Sequence, residues 1–202
     1  MKVAIIDYGM GNVASVSKAV RHLGHDPLVT GDAATLADAA FLILPGVGAF
    51  AAGMDNLRSR GLEEVLNREV IEKGKPFLGI CLGMQLLASM GTEPHDTPGL
   101  GWIEGRQERI IADGLRIPHL GWNELRVQGE KAFEGLPSLD FYFIHSYHFV
   151  VEHPAEVVAT IDYGGPLTAA VRKGNIFATQ FHPEKSQVAG LMLMRNILEG
   201  HA

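Results

Sequence analysis

An α/β fold, with a largely parallel central sheet flanked by helices and an antiparallel extension in the second half, is predicted by three features of this 202-residue chain. Short apolar runs alternate with helix-like segments through the first half, which is the sequence form of repeated strand-helix units. Glycine-rich turns follow the apolar runs, at Gly9-Met10-Gly11-Asn12, Pro45-Gly46-Val47-Gly48 and Gly79-Ile80-Cys81-Leu82-Gly83. From Thr92 onward, Pro94, Pro98-Gly99, Gly105, Asp113-Gly114 and Gly129 separate shorter strands.

Residues 2–6 read as the first strand, and the glycine turn after them leads into a helix over 13–23. Val13, Val16, Ala19, Val20 and Leu23 fall on one face of that helix. Strands are expected over 27–30 and 40–44, helices over 50–58 and 62–71, then a strand over 75–80 whose end delivers Cys81 to a helix over 82–89. In the second half, 141–144 and 149–152 read as strands. Residues 167–172 and 176–181 straddle Lys173-Gly174-Asn175 as a hairpin, and 189–199 closes the chain as an amphipathic helix.

The bulk properties bound the function. A chain of this length fits one domain, residues 1–202, with a core large enough to need no staples. Seventeen basic against twenty-three acidic residues give a formal charge of -6, so no overall positive field draws the chain to nucleic acid or to a membrane surface. The apolar run AAFLILPGVGAFAAGM is interrupted by Pro45, Gly46 and Gly48, too early for a spanning helix of about 20 residues. One cysteine forms no internal disulfide, and Asp7 falls within what would be a signal peptide's apolar core, so a cytoplasmic protein is expected.

Gly9-Met10-Gly11-Asn12-Val13-Ala14 satisfies the dinucleotide-binding pattern G-x-G-x-x-[GA], with Asp32 about 20 residues on. Gly46-Val47-Gly48-Ala49-Phe50-Ala51 satisfies it as well, and one domain of this size has no room for two such sites. Both loops are better read as tight strand-to-helix turns, and no cofactor is assigned.

Cysteine count alone favours a buried apolar Cys81. Its spacing argues otherwise: G-x-C-x-G at a strand-to-helix junction is the form of a nucleophile elbow, in which flanking glycines relieve crowding around a strained turn. A helix N-terminus there favours a thiolate and donates N–H groups to a developing oxyanion. The base best placed for it is His182, ending an apolar strand in Phe181-His182-Pro183-Glu184, with Glu184 able to accept its other ring proton. His145-Ser146-Tyr147-His148 with His153 is a weaker constellation for a metal or a serine nucleophile. His145 and His148 would point to opposite faces of an extended segment, and Ser146 lacks flanking glycines, so no metal site is assigned.

Together GICLGMQ, FHPEKS about 100 residues later and the preceding LPGVGAF resemble the class I, or triad, glutamine amidotransferases over the whole chain. Within that class DYGMGN, PGVGAF, IPHLGWN and FIHSYHF are similar to the glutaminase subunits of imidazole glycerol phosphate synthases. The resemblance implies a class I glutamine amidotransferase-like fold, with Cys81 attacking the glutamine side-chain amide, His182 moving the proton and Glu184 orienting His182. It implies an oxyanion site from the backbone N–H of Leu82 and one from Val47 or Gly48. Glutamine would be held by Gly46, Gly48, Gln85, Glu93, His145, Ser146 and Tyr147. Ammonia released into water is protonated and lost as a nucleophile, so an acceptor site is expected in a partner. By resemblance that partner is a cyclase subunit, a TIM barrel forming a heterodimer with this chain, and Trp122, Tyr142 and Lys185 lie next to the motifs that would face it.

Overall fold

Val3 and Ile5 face one side of the first strand, Ala4 and Ile6 the other, and all four are fully buried, as the two-residue period of a strand covered on both faces requires. This strand, β1 (Lys2–Ile6), belongs to an eight-stranded sheet in a computed structural model that describes residues 1–200. The sheet runs β2 (Asp26–Thr30), β1, β3 (Phe41–Gly46), β4 (Phe77–Cys81), β14 (Ile176–Thr179), β13 (Pro166–Lys173), β12 (Val157–Asp162) and β9 (Arg126–Val127). Pairing is parallel from β2 to β14 and antiparallel from β14 to β9, so the predicted mixed architecture is present.

Helices cover both faces. Against one pack α1 (Val13–His22), through Val16, Ala19 and Val20, and α6 (Gln187–Glu199), through Leu193, Met194 and Ile197. Against the other pack α2 (Ala33–Asp38), α3 (Phe50–Ser59) and α4 (Leu62–Leu66), through Leu36, Met54, Leu57, Leu62 and Leu66. Each of these side chains larger than alanine contributes about 2 kcal/mol. Asn12 caps α1 by accepting from the Ser15 N–H at 3.3 Å, and Asp32 caps α2 by accepting from the Thr35 N–H at 2.8 Å. Asp32, which a dinucleotide reading would place on a ribose, is thus a helix cap. The turn at Gly11 packs on the end of β3, where a Cβ would stand 3.1 Å from the Pro45 oxygen.

Two smaller sheets complete the fold. One holds β11 (Tyr147–Val151), β7 (Ile103–Arg109), β5 (Ala88–Gly91) and β6 (Thr97–Pro98), and the other is an antiparallel ribbon of β8 (His119–Glu124) and β10 (Asp140–His145). The helix expected over 82–89 is α5 (Leu82–Gln85) alone. Its second half becomes β5 because Ala88, Met90 and Gly91 find ladder partners on β7 and β6, and those pairings outweigh the helical propensity of a leucine-rich segment. The helix expected over 62–71 ends as α4 and continues as a π-helical turn, Asn67–Glu72. Buried Glu69 in that turn draws in Lys73 at 2.8 Å and Lys75 at 3.2 Å. No helix among the described residues is long and apolar enough to cross a membrane.

Candidate active site

Cys81 ends β4 and Leu82 opens α5, so the chain reverses within one residue, and Cys81 takes φ 56° and ψ −110° to do it. For a side chain with a Cβ this conformation costs of order 1–3 kcal/mol and is held only by its surroundings. The flanking glycines are demanded by contact rather than by their own φ. A Cβ on Gly79 would lie 2.8 Å from the Gly83 oxygen, and one on Gly83 would collide with the Leu44 carbonyl. Gly46 is held the same way, with Leu82 Cβ at 2.7 Å and Gly83 N at 2.9 Å from where its Cβ would be. The elbow is packed directly onto the end of β3.

Sheet register then assembles the site. Gly46 pairs with Cys81 on one side of β4, and Thr179 pairs with Ile80 on the other. The chain leaving β14 therefore brings Gln180 level with Cys81 and carries His182 beyond it. The site lies at the carboxyl ends of three adjacent parallel strands, where open α/β sheets bind their ligands. His182 is fixed from behind: its N–H donates to the Tyr142 carbonyl at 3.0 Å, and its own carbonyl accepts from the Ser186 hydroxyl at 2.7 Å.

His182 Nδ1 donates to Glu184 Oε1 at 2.9 Å, and both side chains are buried. That leaves His182 Nε2 toward Cys81. Burial alone would disfavour a charged ring, but the Cys81 sulfur and the Glu184 carboxylate outweigh it and push the His182 pKa up to about 9. At neutral pH His182 holds the proton. Tyr8, buried under the elbow, is raised by burial and secondarily by the Cys81 charge.

A cleft of about 380 Å³ opens over Cys81. Val47, Gly48, Leu82 and His182 line it near the sulfur, and Gln85, Glu93, His145, Ser146 and Tyr147 line the rest. Gly46 is buried behind the elbow, and the Glu184 carboxylate sits behind His182. Gln85 Nε2 donates to the Tyr147 carbonyl at 3.2 Å and to Gln180 Oε1 at 3.0 Å, so its two protons are spent and its Oε1 is left to accept. One Glu93 oxygen accepts from the Phe50 N–H, at the start of α3, at 3.3 Å.

His145 Nδ1 lies 2.8 Å from the Tyr147 carbonyl, which can only accept, so Nδ1 carries the proton and Nε2 accepts from His119 Nδ1 at 3.1 Å. Burial holds His145 down to about 3, against a smaller opposing effect of the Tyr147 carbonyl, and it is neutral. His145 and His148 belong to different strands, separated by the corner at Ser146, rather than to one extended segment. His153 pairs with Glu104 at 3.0 Å on the surface. Among the described residues no group of three or more His, Cys, Asp or Glu side chains is placed to hold a metal ion.

Trp122, Tyr142 and Lys185 lie outside the cleft. Trp122 and Tyr142 are cross-strand partners on the outer face of the β8–β10 ribbon, their rings 6.1 Å apart, and Lys185 is exposed beside Glu184. Sequence reasoning passed over Gln180, His119 and Ser186, all buried and all bonded to site residues. For Gln180 a signal existed: it precedes His182 by two residues, the interval that puts side chains on one face of an extended chain.

The family model for class I glutamine amidotransferases matches residues 4–198. A subunit of imidazole glycerol phosphate synthase, HisH, from Ruegeria pomeroyi is 46% identical over 208 residues, covering 98% of each chain. The HisH subunit from Moorella thermoacetica is 46% identical over 199 residues, covering 98% of this chain and 94% of its own. Among solved structures, one of a glutamine amidotransferase superposes with a TM-score of 0.76 at 28% identity, covering 98% of this chain and 97% of that one. The PurLQS structure from Thermotoga maritima, at 21% identity and a TM-score of 0.73, shares the fold over 100% of this chain and 99% of its own. With the family model spanning nearly every described residue, and an elbow, a base and a carboxylate meeting at the ends of parallel strands, the chain belongs to the class I glutamine amidotransferase family.

Proposed function

We propose that this chain is the glutaminase subunit of an imidazole glycerol phosphate synthase, serving histidine biosynthesis in the cytoplasm as a single amidotransferase domain. The observation that carries the reading is the buried His182–Glu184 pair facing a cysteine on a strained elbow. Similarity to HisH subunits over nearly the whole chain supports the choice within the family.

In this reading the proton rests on His182 and Cys81 attacks the side-chain carbonyl carbon of glutamine as a thiolate. The carbonyl electrons move to oxygen, and the N–H of Leu82, in the first turn of α5, with that of Val47 or Gly48, receives the oxyanion. His182 passes its proton to the amide nitrogen, ammonia departs and a thioester remains. Water, deprotonated by His182, then attacks the thioester and glutamate leaves as the sulfur is restored. Glu184 keeps the His182 ring in one tautomer throughout.

Glutamine recognition follows from the bonds already spent. Gln85 offers only an oxygen to the cleft, which suits the α-ammonium group, and the Glu93 carboxylate suits that same positive charge. The α-carboxylate falls to the corner at His145, Ser146 and Tyr147. Gly46 acts from behind, by letting the loop that holds Val47 and Gly48 approach the elbow.

Ammonia passes to a partner, in this reading a TIM-barrel cyclase bound as a heterodimer. The outer face of the ribbon supports this: Leu120, Trp122 and Ile144 are 60%, 49% and 41% exposed, and with Tyr142 they form one apolar face at the mouth of the cleft. Lys185 borders it. The test is glutamate release from glutamine by the chain with its cyclase partner and the nucleotide acceptor. Cys81→Ala should abolish it, and an unchanged rate would refute the reading.

A further inference from the structure

Gln180 is fully buried, and its side-chain bonds are few enough to orient it without ambiguity. The Tyr147 carbonyl can only accept. Gln85 must turn its NH2 toward that oxygen at 3.2 Å, and the same NH2 lies 3.0 Å from the Gln180 amide. The Gln180 atom facing it is therefore the oxygen. Gln180 Nε2 is then turned the other way, where it stands 3.7 Å from Cys81 Sγ, within range of an N–H···S hydrogen bond.

We propose that Gln180 is a further catalytic residue of this site, whose amide N–H donates to the Cys81 sulfur and whose orientation is fixed by Gln85. The inference rests on the glutaminase reading of Cys81 and deepens it. A neutral thiol gains little from an N–H donor, whereas a thiolate gains a charge-assisted bond, so the donor favours the attacking form. His182 takes up the proton on one side of the sulfur and Gln180 stabilises the charge left behind on another. The Ile144 carbonyl, 4.0 Å from the same sulfur, is an acceptor and offers a thiolate nothing, which leaves the Gln180 amide as the donor on that side. Because Gln85 also lines the cleft, substrate settling on its oxygen steadies the amide that steadies the sulfur.

The experiment uses the full chain, in which Cys81 is the one cysteine, so alkylation by iodoacetamide reports on it alone. Rates are measured from pH 6 to pH 10 for the native chain, for Gln180→Leu and for Gln180→Glu, with circular dichroism as the check on folding. The Glu variant keeps the shape and the oxygen that Gln85 bonds, but presents no proton to the sulfur, so it decides the matter where the Leu variant does not fold. Both variants are expected to react about tenfold more slowly at pH 7. The deficit should close toward pH 10, above the His182 pKa of about 9, where the Cys81–His182 pair has given up the proton it shares and no proton remains to compete for the sulfur. A deficit constant across pH would mean that only access had changed, and rates within twofold of native at pH 7 would mean no effect; either overturns the assignment. A native chain that is not labelled at Cys81 by a glutamine-mimicking chloroketone would fail the glutaminase reading itself and take this inference with it. Native labelling with unaffected Gln180 variants would overturn Gln180 alone.

Discussion

The proton on His182 decides how this site starts. With the His182 pKa at about 9, the imidazolium is formed before substrate enters, and in the proposed mechanism its first task is to give a proton to the leaving nitrogen. Glu184 supports that charge from 2.9 Å, inside a pocket where water contributes little. Replacing Glu184 by Gln keeps the size and removes the charge. The His182 titration, followed by NMR, should then fall below about 9, the Cys81 sulfur still supporting part of the charge, and glutaminase activity should drop by about 100-fold or more. A titration that stayed near 9 would show that the carboxylate adds nothing to the support the Cys81 sulfur gives the ring. Removing His182 itself, as His182→Asn, should cost about three orders of magnitude in thioester formation, read by burst kinetics with a chromogenic glutamine analogue.

At the scale of elements, the elbow and the ribbon carry opposite demands. The elbow tolerates no added atom at Gly83, because a Cβ there meets the Leu44 carbonyl, and main chain in the middle of a parallel sheet cannot step aside. Gly83→Ala should lower stability by about 3 kcal/mol or more, measured by urea unfolding, whereas Gly174→Ala, at a hairpin turn with open space around it, should cost about 1 kcal/mol from its positive φ alone. The ribbon, by contrast, exposes apolar surface that a self-sufficient fold would cover. Trp122→Ala should leave the folding of the isolated chain almost unchanged and weaken binding of the cyclase partner by about 30-fold, seen by calorimetry. Equal affinity would remove Trp122 from the interface. β10 joins these two demands, since its Tyr142 carbonyl holds the His182 N–H while its outer face carries half-buried Tyr142 and exposed Ile144.

For the whole molecule, buried histidines make stability depend on pH in two directions. His182 binds its proton more tightly in the folded state, so its contribution is fully present below about 6.5 and is lost as pH rises through about 9. His145 is the reverse: held down to about 3 when folded, it cannot take the proton that the unfolded chain accepts below about 6.5. Stability therefore falls with pH on the acid side. Glu69, depressed to about 2 by Lys73 foremost, adds a loss below about 4.5. Each group contributes a slope of up to about 1.4 kcal/mol per pH unit within its window. Urea unfolding at several pH values should show greatest stability near pH 6.5, and His182→Asn should flatten the alkaline limb while sparing the acid one. An alkaline limb unchanged in that variant would assign it to other groups.

The alternation of apolar and polar residues was enough to place β1, β3, β4, α1 and α6 within a residue or two, because a strand or helix buried against a sheet writes its own period into the sequence. The glycine spacing around Cys81 was legible for a related reason: a strained turn leaves a local mark. Pairings between distant residues leave none. The sequence carries no local sign that 88–91 forms a strand, that Gly46 stands beside Cys81 or that Gln180 reaches the sulfur, since each depends on the register of strands far apart in the chain. The separation of His145 and His148 into different strands and the lone surface pairing of His153 were likewise settled by the fold. Residue types and spacings named the chemical groups; the parallel register of β3, β4 and β14 decided which of them meet, because only three-dimensional packing brings together atoms from the ends of separate strands.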